Sequence, residues 1–318
     1  MARNKKTSRS LFTFMNFLIA LLLKNGQYRT MQHYKATLNS YKRYRKDKDI
    51  TFKEIDAKEI QSYEAYLKNV AKVCNNTSSF YLRILRATYN KAVEKGYATQ
   101  QNPFKNVYTG IAKTNKRAIP TESVSSIKRL DTIIALTPKQ ELARDTFLMC
   151  FYLRGISFID LAHLRKSDLK DGFISYTRSK TGQRISIRWE KDMQDIVDKY
   201  QTKTADSTYL FPFLASGTNS KNGTLQDKRQ DELRLYHNAE SRITYHLKKL
   251  GAKIGAKGKL TLYVARHTWA TTARDKNISI SIISEALGHN SETTTQIYLR
   301  TIQSSEVDDA NAEILASI

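Results

Sequence analysis

Three side chains near the end of this 318-residue chain are spaced as a reacting set. Arg266 lies in "YVARHTWATTARD" (263–275), ahead of an apolar helical pattern. "ISEALGH" follows and ends in His289, and Tyr298 comes nine residues later in "LGHNSETTTQIYLR" (287–300). One phenol among 18 tyrosines carries little information, because a tyrosine is usually a packing residue with a wet hydroxyl. Its company changes that. A phenol with a pKa near ~10 is a poor nucleophile at neutral pH, and a phosphodiester under attack gathers negative charge on its non-bridging oxygens, so cations must stand ready around it. A guanidinium is always charged and matches phosphate in its fork geometry, and an imidazole can hydrogen-bond the same oxygens or help move the phenol's proton.

The composition suits such an acceptor. Lys and Arg outnumber Asp and Glu by 53 to 30, a formal net charge of +23, which points to a polyanionic partner and makes nucleic acid the leading class. Residues 1–110 hold 21 Lys or Arg against 7 Asp or Glu, whereas the last 18 residues hold four acids and no base, so the front of the chain is the stronger footprint and the tail is no DNA arm. A hydrophobic share of 40% over this length can build about two domains. Cys74 and Cys150 stand far apart in apolar helical patterns and match neither a disulfide framework nor a metal-ligand spacing, which fits a reducing cytoplasm. The start, with a basic lead and an apolar run from Leu11 to Leu23, imitates a signal peptide. Thr13 and Asn16 interrupt that run, no small-x-small site precedes Lys24, and it is too short to span a bilayer; a first helix docked on its own domain is expected instead, with no membrane partner.

These groups need elements to position them. From Thr30 to Gly96 the apolar spacing is three to four, in "TMQHYKATLNSYKRYRK", "AKEIQSYEAYLKNVAK" and "TSSFYLRILRATYNKAVEKG", which predicts a small helical domain over residues 1–112. Pro103, Gly110 and Pro120 break regularity around a linker at 113–120, and a second domain runs over 121–318. There "PTESVSSIKRL" and "TPKQELARDTFLMCFYLRG" predict helices, the latter closed by Gly155. "DGFISYTRSKTGQRISIRW" alternates with period two on either side of a Lys-Thr-Gly-Gln turn, a hairpin carrying Lys180 at its tip. "ASGTNSKNGTLQDKRQDE" (215–232) reads as a polar loop, and helical patterns resume from about Asp231. No phosphate-binding Gly-rich loop and no internal repeat is present.

The rear two-thirds resembles the catalytic domain of tyrosine recombinases, the phage integrase family, through Arg266, Leu-Gly-His at 287–289 and Tyr298 nine residues on; the helical front domain is similar to that family's core-binding domain. "RGISFIDLAHL" and "ARHTWAT" resemble especially the branch found in Bacteroides-group bacteria and their mobile elements. The resemblance implies a mainly α fold with a small β-sheet, and a site-specific recombinase that cleaves and rejoins double-stranded DNA through a 3′-phosphotyrosyl link, as a homotetramer on two DNA sites. It needs no cofactor and no metal, because the link stores the bond for rejoining. Residue by residue, it implies Tyr298 as nucleophile, Arg266 as a phosphate clamp, His289 as the second-box imidazole and Lys180 as the hairpin-borne general acid for the departing 5′-hydroxyl, the alternative for Lys180 being a solvated turn lysine. His267 is expected to be a structural hydrogen-bonder. The acidic tail from Ser305 resembles the segment by which family protomers dock on neighbours, with Ile314 and Leu315 as apolar anchors, or it is a frayed terminus.

Two positions depart from the family pattern. Tyr263 stands where the first histidine of His-x-x-Arg belongs; a phenol can donate to a phosphate oxygen but carries no charge. Ser157 stands three residues before Asp160-Leu161, in the slot of the first-box arginine. Ser-Phe-Ile-Asp is a capping-box pattern that would start a helix at Phe158. Arg154, one turn upstream, could swing into the vacant position or merely cap the preceding helix. The vacancy keeps open a non-catalytic DNA-binding regulator, and a type IB topoisomerase-like enzyme is the other rival. About 23 residues precede the core-binding-like region, too few for an arm-site domain, which favours a simple integrase or invertase.

Overall fold

The computed structural model describes residues 10–112, 118–214, 225–256, 259–299 and 315. The chain divides into two compact units, Met1–Thr114 and Asn115–Ile318; part of the expected 113–120 linker lies outside the described residues.

Among the described residues of the front unit four α-helices follow one another: α1 (Leu11–Lys24), α2 (Tyr28–Arg45), α3 (Ala57–Asn69) and α4 (Asn75–Glu94). The signal-like run is α1. Its Leu11, Phe14, Met15, Leu18 and Leu22 recur at three-to-four spacing and are buried in the unit's own core with Leu38, Tyr41, Tyr63 and Leu85. The orphan donors at its start are met by the chain itself, Leu11 N–H donating to the Ile50 carbonyl (2.8 Å) and Phe12 N–H to the Asp49 carboxylate (3.0 Å). Among the described residues no helix is long and apolar enough to cross a membrane. Buried phenols in this core keep polar partners, Tyr41 donating to Glu59 (2.7 Å) and Tyr63 to Ser40 (2.8 Å).

The rear unit is also mainly helical: α5 (Thr121–Lys128), α6 (Leu130–Ile133), α7 (Pro138–Tyr152) and α8 (Phe158–Ala162), then strands β1 (Leu169–Lys170), β2 (Phe173–Thr177) and β3 (Arg184–Arg188), then α9 (Lys191–Asp198), α10 (Leu225–Lys253), α11 (Leu262–Asp275), α12 (Ile280–Ala286) and α13 (Glu292–Leu299). α7 opens on the Thr137 capping box, is buried continuously from Ala143 to Cys150, and packs against both α10 and α11. The three strands form one antiparallel sheet in the order β1-β2-β3, with Ile174 opposite Ile187 and Tyr176 opposite Ile185. Ile174, Ile185 and Ile187 fill the core, as their alternation requires. Two-residue β1 is too short for any alternation to announce it.

Two expectations need correction. α10 begins at Leu225, so much of the expected 215–232 loop is helix. Its first turns lack an apolar stripe, but Leu, Gln, Lys, Arg and Glu are good helix formers, and Arg234 pairs with Asp231 at 3.1 Å. Its anchorage is tertiary: Glu232 meets His163 at 2.7 Å, and Tyr236 packs on Phe158 with ring centroids 5.4 Å apart. The second correction is at Ser157. α8 does start at Phe158, yet the serine hydroxyl caps no backbone donor and instead donates to the Asp160 carboxylate at 2.5 Å. The charge-assisted bond to that buried carboxylate turns the hydroxyl towards Asp160 rather than towards the first N–H groups of α8.

Candidate active site

Arg266 sits in the second turn of α11 and is 4% exposed. Its guanidinium donates to the Gly155 carbonyl (2.7 Å), to the Leu287 carbonyl (2.5 Å) and to His289 Nε2 (3.0 Å). These three partners are neutral. They lie on two different connections, the turn after α7 and the turn after α12, so one arginine ties both to α11. Gly155 makes this possible: a Cβ there would stand 2.6 Å from Arg266 Cγ, and its φ of +76° suits glycine.

The β2–β3 turn supplies two more cations. Arg178 N–H donates to the Gln183 carbonyl and Gly182 N–H to the Arg178 carbonyl, both at 2.8 Å, closing the loop that carries exposed Lys180. Arg178 is 8% exposed, and its guanidinium donates to the Gly288 carbonyl, which Thr181 Oγ1 also reaches at 3.3 Å. Asp160 holds this turn against α8: one carboxylate oxygen accepts Ser179 N–H (2.9 Å), the other the Ser157 hydroxyl. The Leu-Gly-His triplet is thus gripped at Leu287 by Arg266 and at Gly288 by Arg178. A Cβ at Gly288 would meet Ile185 at 2.9 Å and Arg178 at 3.0 Å, which explains the glycine.

His289 is the focus of these charges. Burial, then Arg266, Arg178 and Lys180, lower its proton affinity to a pKa of about 4, so the ring is neutral at physiological pH. Its Nδ1 is 2.8 Å from Thr295 Oγ1 on α13. Tyr298 lies in the last turn of that same helix; its side chain is outside the described residues. Tyr176, also near Arg266 and Arg178, has its phenol pushed far above the ordinary range by burial and then by Asp160, which makes it a poor nucleophile.

The remaining candidates are placed differently. Arg154 adopts a left-handed backbone (φ +56°) and lines a cleft of about 260 Å³ with Arg184, Ser186, Ile282 and Glu285; it is not among the cations that act on His289. Ser157 reaches the site only through Asp160. Tyr263 is 57% exposed on the first turn of α11, its ring edge-on to buried His267 at 4.7 Å. Ile314 and the tail around it lie outside the described residues, and Leu315 is exposed. Sequence reasoning missed Arg178 and Asp160 as site residues; Asp160 carried a signal as part of the acidic-Leu pair, whereas Arg178 had only its place two residues before Lys180, which does not say that it turns inward. Among the described residues no group of three or more His, Cys, Asp or Glu side chains is placed to hold a metal ion.

Residues 126–304 match the phage integrase family, and residues 10–110 match the phage integrase SAM-like domain. The tyrosine recombinase XerA of Pyrococcus furiosus is 28% identical over 193 residues, 60% of this chain and 59% of that protein, so the match spans under two thirds of that relative. Among solved structures, the XerH site-specific recombinase bound to palindromic difH substrate superposes with a TM-score of 0.66 at 15% identity, over 92% of this chain and 83% of that one. A lambda integrase tetramer bound to a Holliday junction gives 0.60 at 17% identity, over 91% and 77%. These structural likenesses are likenesses of fold.

Proposed function

The chain belongs to the phage integrase family, its match at 126–304 covering more than half its length, and from that premise we propose that it is a site-specific DNA recombinase of the tyrosine class. The observation that carries this reading is the convergence of buried Arg266 and Arg178 on the Leu287–His289 turn, with Lys180 near the same imidazole. In this reading the Tyr298 hydroxyl attacks a DNA phosphodiester, a bond forms between its oxygen and phosphorus, and the bond to the 5′-oxygen breaks. Lys180 delivers a proton to that leaving oxygen, and the tyrosine's proton passes towards His289. Arg266 and Arg178 balance the charge that develops on the phosphoryl oxygens; water-excluded, fixed cations are worth most there. Rejoining is the reverse attack by a 5′-hydroxyl of another strand.

Arg178 thereby takes the place left vacant at Ser157, which weakens the main support for a non-catalytic regulator. Double-stranded DNA as partner, assembly as a homotetramer on two sites, and a cytoplasmic location follow from the same reading. "RGISFIDLAHL" and "ARHTWAT" support a place in the Bacteroides-group branch.

A randomised substrate lets the protein select its own target. The full chain is mixed with nicked duplexes of randomised core sequence, and DNA that stays attached through denaturation is recovered and sequenced. We expect a defined site to emerge, and Tyr298→Phe to bind that site yet form no attached product. Adducts at the wild-type level in Tyr298→Phe would assign the nucleophile elsewhere, and none from the wild-type chain would favour the regulator.

A further inference from the structure

We propose that Thr295 is a positioning residue whose hydroxyl holds His289 in the tautomer that leaves Nε2 bare, and that this hold exists only while α13 is seated, so the imidazole and the nucleophile's helix are set together. The functional half rests on the recombinase reading; the tautomer does not.

The argument is one of donors and acceptors. Arg266 Nη2 lies 3.0 Å from His289 Nε2, and a guanidinium has no acceptor and keeps its protons. While that contact stands, the nitrogen facing it presents a lone pair. The neutral ring then carries its proton on Nδ1, where Thr295 Oγ1 at 2.8 Å is in place to accept it. Thr295 is fully buried, so water does not substitute for it. Among the described residues the charged groups that act on the ring are Arg266 from α11 and Arg178 and Lys180 from the β2–β3 turn, cations that oppose a second proton.

Consequences follow for timing. Thr295 precedes Tyr298 by three residues on α13, so withdrawal of that helix would remove the Nδ1 acceptor along with the tyrosine. The ring could then place its proton on Nε2, where it would be unable to receive one from a phenol. A phosphodiester entering among the cations adds negative charge, raises the proton affinity of Nε2, and readies it to take the Tyr298 proton while the Arg266 contact loosens.

Two measurements on the full chain test this, with Thr295→Val removing the hydroxyl at nearly constant shape and Thr295→Ser retaining it. First, nitrogen-15 histidine spectra of the six imidazoles, with His289→Gln to identify the resonance, should show a neutral His289 protonated at Nδ1 in the wild type and in Thr295→Ser. In Thr295→Val a buried Nδ1–H is left without an acceptor, so the proton should move to Nε2, or exchange between the two, at the expense of the Arg266 contact. Second, adduct formation on the nicked library should slow roughly 100-fold in Thr295→Val, stay within a few-fold in Thr295→Ser, and change its pH profile in the valine variant only. A wild-type ring protonated at Nε2, or a valine variant with wild-type tautomer and rate, would overturn the proposal, as would a serine variant as slow as the valine one. If no protein forms adducts, the recombinase reading fails while the spectra still decide the role of Thr295.

Discussion

At the scale of single residues the decisive group is Arg178. An arginine 8% exposed beside a neutral imidazole and bonded to a turn carbonyl is not a solvated hairpin side chain. Fixed charge at a developing phosphorane is worth about 3 to 4 kcal/mol, so Arg178→Ala should slow single-turnover adduct formation by roughly 100- to 1,000-fold. Arg178→Lys should restore only part of this, because an ammonium offers charge without the fork. Arg154→Ala should stay within a few-fold of the wild type, since Arg154 lines the cleft between β3 and α12. The reverse ranking would return the role to Arg154. Nothing in "SYTRSKTG" distinguishes an inward arginine from an outward one; the closure of residues 178–183 decides that, through the bonds between Arg178 and Gln183 and between Gly182 and Arg178.

At the scale of elements, the site depends on how closely the end of α7 approaches α11. Gly155→Ala would put a methyl 2.6 Å from Arg266 Cγ and 2.7 Å from its Cα, in a left-handed backbone. Gly96→Ala in the front unit meets the same backbone demand (φ +70°) with nothing within 4 Å. Both variants should lose about 1 to 2 kcal/mol in denaturant titrations from the left-handed cost alone. Only Gly155→Ala should also lose adduct formation, because the displaced guanidinium would no longer hold the Gly155 and Leu287 carbonyls and His289 together. Equal activity in the two variants would show that the approach of α7 to α11 is not what places Arg266. Gly155 was legible as a helix stop, but its second task was not, because the partner lies 111 residues away.

At the scale of the whole molecule, a formal charge of +23 should make DNA affinity fall by roughly 100-fold or more between about 50 and 200 mM salt, if about six or more phosphates are contacted. Equilibrium binding to the recovered site at several salt concentrations measures this, and a nearly flat dependence would contradict a charge-led grip on DNA. Several features were determined by the sequence itself, because they are local or additive: net charge, the three-to-four periodicities of α1–α4, the Thr137 capping pattern, the hairpin alternation, and the step from His289 to Tyr298 along one stretch of chain. What only the tertiary structure decided is which distant groups face one another. Arg266 reaches Gly155, Arg178 reaches Gly288, and Asp160 fixes Ser179, each between elements that tertiary packing rather than any spacing along the chain brings together. The tautomer of His289 belongs to the same class: its type and position are in the sequence, but its proton is placed by Arg266 on one side and Thr295 on the other, and only folding brings that arginine to the ring.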